Sequence, residues 1–69
     1  MPKFEELRTN AGVTISQLSK DANISRATIE KIEKGQSVRA ALAARACNAL
    51  SKHLGYQVTY QQLDIKTVK

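Results

Sequence analysis

The sequence has no tryptophan, one cysteine and one proline, and aromatic residues make up only 4% of its 69 residues. With so few aromatics, the core must be built from Leu, Ile, Val and Ala. This composition favours a small helical domain over a β-sandwich or barrel. A single cysteine can form neither an internal disulfide nor a cysteine-rich zinc site, so a reducing compartment, the cytoplasm, fits best.

Long apolar segments are also absent. No apolar run approaches the roughly 20 residues of a membrane span, and the first residues lack the pattern of a signal peptide. We therefore expect no membrane partner and a cytoplasmic location. The length of 69 residues allows a single domain, with a core of marginal size, although many domains of about 55–65 residues fold alone.

The groupings of residues that carry catalysis or metal binding are missing too. There is no Ser/His/Asp set, no glycine-rich phosphate loop and no pair of carboxylates at a catalytic spacing. Cys47 is predicted to be a small buried residue, and His53 an exposed or capping residue near a helix end. We expect no enzymatic activity, no metal, no cofactor and no small-molecule ligand.

What the chain does have is positive charge, a net +5 with an isoelectric point near 9.7. In so small a domain this favours a polyanionic partner, nucleic acid before a membrane surface. Net charge alone is weak evidence for a nucleic-acid partner, so the positions of the charged residues have to be considered as well.

Turn-forming residues divide the chain into pieces of helical length: Gly12, Asn23, Gly35 and Gly55. In the first piece Phe4, Leu7 and Ala11 recur on one face of a helix. The fourth piece, about residues 39–53, is rich in alanine and is the strongest local helix former in the chain.

The second and third pieces have clear helix start signals. Thr14 can cap a helix with Gln17 completing a capping box, and Ser25 can cap the next helix. Only residues 21–24 lie between these two helices, which leaves room for a tight turn. The arrangement predicts a helix-turn-helix. A general helical hairpin is the alternative that spacing alone leaves open.

The last part of the sequence is harder to interpret. Thr59 can cap a short fifth helix that runs through Leu63, but the sequence YQVTY also suits a strand. We favour the helix, and the strand remains open. Residues 65–69 are expected to be a frayed tail, so that the predicted domain covers residues 1–64.

The third helix has an unusual outward side. Arg26, Ala27 and Lys31 lie away from the apolar stripe of Ile29 and Ile32. A small residue amid long charged ones allows a partner to approach closely. Arg26 can donate two bonds to guanine, Ala27 can pack on a thymine methyl, and Lys31 can reach a base edge or a phosphate. An ordinary solvated helix face is the alternative.

From Leu7 to Gly35 the residues read LRTNAGVTISQLSKDANISRATIEKIEKG. This stretch resembles the Cro and lambda-repressor-like (XRE) helix-turn-helix family at many positions. The resemblance implies an all-α, compact bundle of four to five helices, with the helix-turn-helix at helices 2 and 3. It also implies that the third helix, residues 25–34, enters the major groove of double-stranded DNA.

Helix geometry and the resemblance together assign two sets of DNA contacts. The base-reading set is Arg26, Ala27, Thr28 and Lys31. The DNA-backbone set is Thr14, Ser16, Gln17, Ser25, Lys34, Gln36, Ser37 and Arg39. The resemblance further implies a structural ion pair between Arg8 and Glu33, which would take Glu33 out of the DNA-facing charge. The sequence departs from the family at Ile15, where many members carry a phosphate-binding glutamine. We expect an exposed apolar side chain there.

The function predicted from these features is sequence-specific DNA binding, as a transcriptional repressor or regulator of phage, plasmid or other mobile-element type. One such module touches few bases, so a homodimer is expected, at least on DNA, on half-sites about one helical turn apart. The candidate dimer residues are the apolar groups that the core does not clearly require: Tyr56, Val58, Tyr60 and Leu63.

Two alternatives remain open at this stage. The first is an antitoxin-like DNA binder in which residues 56–69 pair with another protein as a strand. The second is a helical adaptor that uses the same bundle to bind protein and makes no DNA contact.

Overall fold

A computed structural model describes residues 3–68. The elements follow in the order α1 (Lys3–Asn10), α2 (Ile15–Ala22), α3 (Arg26–Glu33), β1 (Val38–Arg39), α4 (Ala40–Leu54) and β2 (Thr67–Val68). The prediction of an all-α, compact bundle with a helix-turn-helix at its second and third helices is confirmed. The only sheet in the described part of the chain is the two-residue ribbon of β1 and β2.

Each helix contributes apolar side chains to a single core. Phe4, Leu18, Ile29 and Leu50, one from each helix, are fully buried. Cys47 is buried among them, as predicted. A core shared in this way fixes the relative positions of α2 and α3, and therefore the surface they present.

The two helices of the helix-turn-helix begin at the predicted caps. The hydroxyl of Thr14 accepts a hydrogen bond from the Gln17 amide at 3.1 Å, and the hydroxyl of Ser25 accepts one from the Thr28 amide at 3.2 Å. Each bond satisfies one of the amides that the first turn of a helix leaves without an intrahelical partner.

The turn between α2 and α3 depends on Asn23, which has a left-handed backbone with φ 58°. Its amide bonds the Lys20 carbonyl at 3.3 Å, and the Ile24 amide bonds the Ser19 carbonyl at 3.1 Å. This is the Schellman arrangement, usually made with glycine, which asparagine tolerates better than other side chains. It ends α2 within one residue and turns the chain into α3.

The predicted fifth helix is only a single turn. Its cap forms in full, because the Thr59 amide bonds Gln62 Oε1 at 3.0 Å and the Gln62 amide bonds Thr59 Oγ1 at 3.2 Å. The turn stops at Asp64, whose φ of 55° ends helical geometry. One turn gains too few backbone hydrogen bonds to propagate as a helix by itself.

The prediction of a frayed segment over residues 65–69 was wrong for its described part. Strand β2 pairs in parallel with β1, with Thr67 opposite Val38 and Val68 opposite Arg39. The Val38 amide donates to the Lys66 carbonyl at 3.1 Å, and Ile65 packs against the core. The ends of the predicted domain and tail, residues 1–2 and 69, lie outside the described residues.

None of the helices within residues 3–68 combines the length and the apolar character that crossing a bilayer requires.

Candidate nucleic-acid interface

Helix α3 buries one stripe and exposes the opposite side. Ile29 and Ile32 are within 2% of full burial, whereas Arg26, Ala27 and Lys31 are exposed. The sequence pattern therefore identified correctly which side of α3 faces solvent. Three of the four residues predicted to read bases stand on that side.

Thr28, the fourth predicted base-reading residue, is half-buried. Its hydroxyl lies 2.8 Å from that of Ser25, the capping residue. The hydroxyl of Thr28 is thus already engaged at the helix start, so its position at the edge of the exposed side depends on the cap.

A groove lies between the start of α2 and one flank of α3, and we call it the α2–α3 groove. It is lined by Arg8, Thr14, Ile15, Ser16, Arg26, Ala27 and Glu30. Within it, Arg26 Nη1 donates to Ser16 Oγ at 3.4 Å. A predicted base-reading side chain and a predicted backbone-contacting one are therefore brought together, next to the free amides at the start of α2.

A second cleft lies on the other flank of α3, and we call it the ribbon cleft. It is lined by Thr28, Lys31, Ser37, Val38, Arg39, Leu42 and Val68. The residues lining it include two cations and two hydroxyls and no acid. Strand β2 forms part of its wall, which the sequence did not predict.

The remaining predicted backbone contacts are exposed but are not among the residues that line these two concave surfaces. They are Gln17 and Ser25 near the helix starts, and Lys34 and Gln36 after α3. The structure thus leaves every predicted backbone-contacting side chain accessible to solvent. It also places α3 as a ridge between two concave flanks, each lined by at least one cation.

Arg8 and Glu33 are in direct contact. Arg8 Nε donates to Glu33 Oε2, and Nη2 donates to Oε1 at 3.2 Å. The third Arg8 bond, from Nη1, reaches the Val13 carbonyl at 2.8 Å. The two side chains are only 14% and 9% exposed. A bidentate pair of this kind joins α1, the following loop and α3, and it neutralises an acid on α3.

Ile15 corrects one expectation. The sequence predicted an exposed apolar side chain near the DNA backbone, but Ile15 is half-buried and packs against the core. Part of its surface nevertheless lines the α2–α3 groove.

The predicted dimer residues divide into two kinds. Val58 and Leu63 are 5% and 7% exposed and belong to the core, so they are not available as surface groups. Tyr60 is half-buried against the same core, while Tyr56 is 57% exposed. The expectation that the core does not require Val58 and Leu63 is corrected, because both belong to its buried cluster.

Two polar contacts were missed by the sequence analysis. His53 Nε2 lies 2.7 Å from Asp21 Oδ2, which links the last turn of α4 to α2. No sequence signal marks a pair separated by 32 positions. Ser51 is buried, donates to the Cys47 carbonyl at 2.7 Å and accepts from the Val58 amide at 2.9 Å. A serine within an apolar helix stripe was the available signal.

Nothing in residues 3–68 gathers three His, Cys, Asp or Glu side chains in a way that could hold a metal ion. Burial raises the pKa of the Cys47 thiol to about 11. The thiol is therefore protonated at neutral pH, and this cysteine packs as a small apolar group.

Residues 3–55 match a family model described as a helix-turn-helix domain. Searches of curated proteins and of solved structures gave no significant match. The matched region contains both capped helices, the tight turn at Asn23 and the exposed side of α3. The resemblance noted in the sequence is confirmed, and the chain belongs to the helix-turn-helix domain family, in its XRE/Cro-like class.

Proposed function

We propose that this protein binds double-stranded DNA sequence-specifically, with α3 in the major groove. The observation that carries the proposal is the exposed side of α3, flanked by the α2–α3 groove and the ribbon cleft. Both flanks carry cations and hydroxyls. Glu33, which would otherwise repel phosphate, is held by Arg8.

Base reading is assigned to Arg26, Ala27, Thr28 and Lys31. Among residues 3–68, the side-chain hydrogen bond of Arg26 is a long, exposed one to Ser16, so its guanidinium is free to reach guanine O6 and N7. Ala27 allows the helix to approach the base edges closely. Lys31 stands on the flank toward the ribbon cleft and serves a base edge or a neighbouring phosphate.

Backbone contacts are assigned to both sides of α3. On one side, the start of α2 offers free amides together with Thr14, Ser16 and Gln17 for one phosphate. On the other side, the loop after α3 offers the hydroxyl of Ser37, and strand β1 offers the charge of Arg39. Ser25, Lys34 and Gln36 complete this set. Contacts of this kind fix the register of α3 in the groove without reading sequence.

The proposed biological role is a transcriptional repressor or regulator of phage, plasmid or mobile-element type, without enzymatic activity. Such a role requires the compartment that holds the DNA, and we propose the cytoplasm. Binding as a homodimer on half-sites about 34 Å apart would supply the affinity that one short helix lacks. Tyr56, at 57% exposure, is the most exposed of the predicted dimer residues.

The decisive experiment is selection of bound duplexes from a random pool, because it tests binding, sequence preference and half-site symmetry together. The Arg26→Ala variant is expected to relax preference at one base pair by about 1–3 kcal/mol. Lys52→Ala is the charge control, since Lys52 lies about 18 Å along α4 from its start. Equal weakening on all sequences would instead make Arg26 a phosphate contact.

The salt dependence of binding tests the rival adaptor function. If about four phosphates are neutralised per subunit, log K falls against log salt with a slope near −3.6. An adaptor that binds protein would show a much flatter response, and its partner affinity would survive Arg26→Ala and Lys31→Ala.

The antitoxin-like alternative has one supporting observation, which is that residues 67–68 do form a strand. One edge of that strand is occupied by β1 within the same chain. A protein partner would have to displace β1 or add to the other edge. Sedimentation velocity of the protein alone and on DNA distinguishes these arrangements from a monomer.

A further inference from the structure

The pairing of β2 with β1 places residues 66–68 beside the loop that follows α3. Val68 lies opposite Arg39 in the register, and paired residues of neighbouring strands project to the same face. Because side chains alternate along a strand, Lys66 shares this face with Val68. Extending the register by one residue also puts Lys66 next to Ser37.

This face is the exposed side of the ribbon. Val38, on the other face of β1, is buried at 5% exposure, while Ser37, Arg39 and Lys66 are all exposed. Val68 and Arg39 also line the ribbon cleft, together with Lys31 of α3. Lys66 therefore lies at the rim of a cleft that already holds two cations.

The surrounding charges suit an anion. The residues that line the ribbon cleft contain no carboxylate. Of the acids nearest in the sequence, Glu33 is held by Arg8, and Asp64 is exposed and is not among the residues that line the cleft. Lys66 would be the third cation at this cleft, and it takes part in none of the ion pairs among the described residues.

We propose that Lys66 contacts a DNA phosphate, and that strand β2 extends the backbone-contacting surface formed by the loop after α3. This inference rests on the proposed function. It assigns a DNA-binding role to a segment outside the matched helix-turn-helix region, which ends at residue 55. The contact would be made to the phosphate next to the one at Ser37 and Arg39, and it would add affinity without reading sequence.

The test compares Lys66→Gln with Lys52→Gln in the full chain, which removes the same charge at two exposed positions. Each variant is titrated over a range of salt with two duplexes of about two helical turns, one of mixed sequence and one recovered from the random-pool selection. Lys66→Arg, which keeps the charge, is the rescue variant. Thermal unfolding of each variant verifies that the fold is retained.

If Lys66 contacts a phosphate, Lys66→Gln makes the slope of log K against log salt less steep by about 0.9, and lowers affinity by about eightfold at 0.1 M salt. Both duplexes should lose affinity by the same factor. Lys66→Arg should restore the slope, and Lys52→Gln should leave it near that of the unmodified chain.

Two outcomes separate this inference from the proposed function. If Arg26→Ala weakens binding but Lys66→Gln behaves like Lys52→Gln, the role of Lys66 is refuted and the DNA-binding function stands. If neither duplex binds even at low salt, the proposed function fails, and the role of Lys66 fails with it.

Discussion

The helix-turn-helix unit, residues 14–34, and the segment of residues 56–68 are built from similar local signals with different results. Both contain a threonine or serine cap followed three residues later by a bonded amide. In the first unit each cap begins an eight-residue helix. In the second, the more complete capping box at Thr59 begins a single turn, and the chain then becomes a strand.

The difference shows that a cap starts a helix but does not sustain it. Helices α2 and α3 continue because each places an apolar stripe on the core, with Leu18 and Ile29 fully buried. The 56–68 segment instead has apolar residues spaced for separate anchor points, at Val58, Leu63 and Ile65. Its shape follows from contacts with α4 and β1, which are distant in sequence.

The largest loss of stability is expected when the Arg8–Glu33 ion pair, which joins α1 to α3, is broken. Glu33→Ala leaves the guanidinium of Arg8 largely buried without its carboxylate, so the free energy of unfolding should fall by about 3 kcal/mol. Urea denaturation measures the change. Glu30→Ala removes an exposed glutamate one turn earlier on α3, and it should change stability by less than about 0.5 kcal/mol.

An unchanged urea midpoint in Glu33→Ala would show that the ion pair does not stabilise the fold. In that case apolar burial alone would hold α3 in place. Loss of stability in both glutamate variants would point instead to a general effect of charge on α3.

The next largest loss of stability is expected at Ser51, whose hydroxyl holds the 56–68 segment through the Val58 amide. Ser51→Ala removes the acceptor of the buried Val58 amide, and an unsatisfied buried donor costs about 2 kcal/mol. Ser19→Ala is the matched control, because the Ser19 hydroxyl bonds only a helix carbonyl. Hydrogen exchange should show faster exchange at residues 58–65 in Ser51→Ala and no change there in Ser19→Ala.

Equal protection of residues 58–65 in the two serine variants would contradict the role given to Ser51. The segment would then be held by the burial of Leu63 and by the ribbon, so its main anchor would be apolar rather than polar.

The sequence predicted the helix-turn-helix well because its information is local. The caps at Thr14 and Ser25, the turn at Asn23 and the stripe of Ile29 and Ile32 all depend on neighbours within four residues. These same features define the exposed side of α3. The exposed position of Arg26 could therefore be predicted before any tertiary contact was known.

The features that the sequence did not predict depend instead on residues that are distant in the chain. Strand β2 exists only because β1, some 30 positions earlier, offers an unpaired edge. Val58 and Leu63 are buried in a core that they share with α4, and His53 meets Asp21 across the bundle. Ile15 packs against the same core. None of these contacts leaves a periodic pattern in the sequence, so composition alone could not place them.

The smallest effect tests the comparison directly, by removing a cap from each region. Ser25→Ala should lower the free energy of unfolding by about 1 kcal/mol, because α3 packs on the core and its first turn forms only in the folded state. Thr59→Ala removes one bond of a capping box at a single turn, and it should cost only a few tenths of a kcal/mol, at the lower limit of cap substitutions. Thr14→Ala serves as a second cap within the helix-turn-helix unit and should resemble Ser25→Ala. Urea midpoints for the three variants decide the order.

If Thr59→Ala is as costly as the other two, the turn at residues 59–64 is part of the cooperative core and the two regions do not differ in the way described. If Thr59→Ala changes only the exchange of its own neighbouring amides, the cap at Thr59 shapes a local turn, whereas those at Thr14 and Ser25 hold the proposed DNA-reading helix in place.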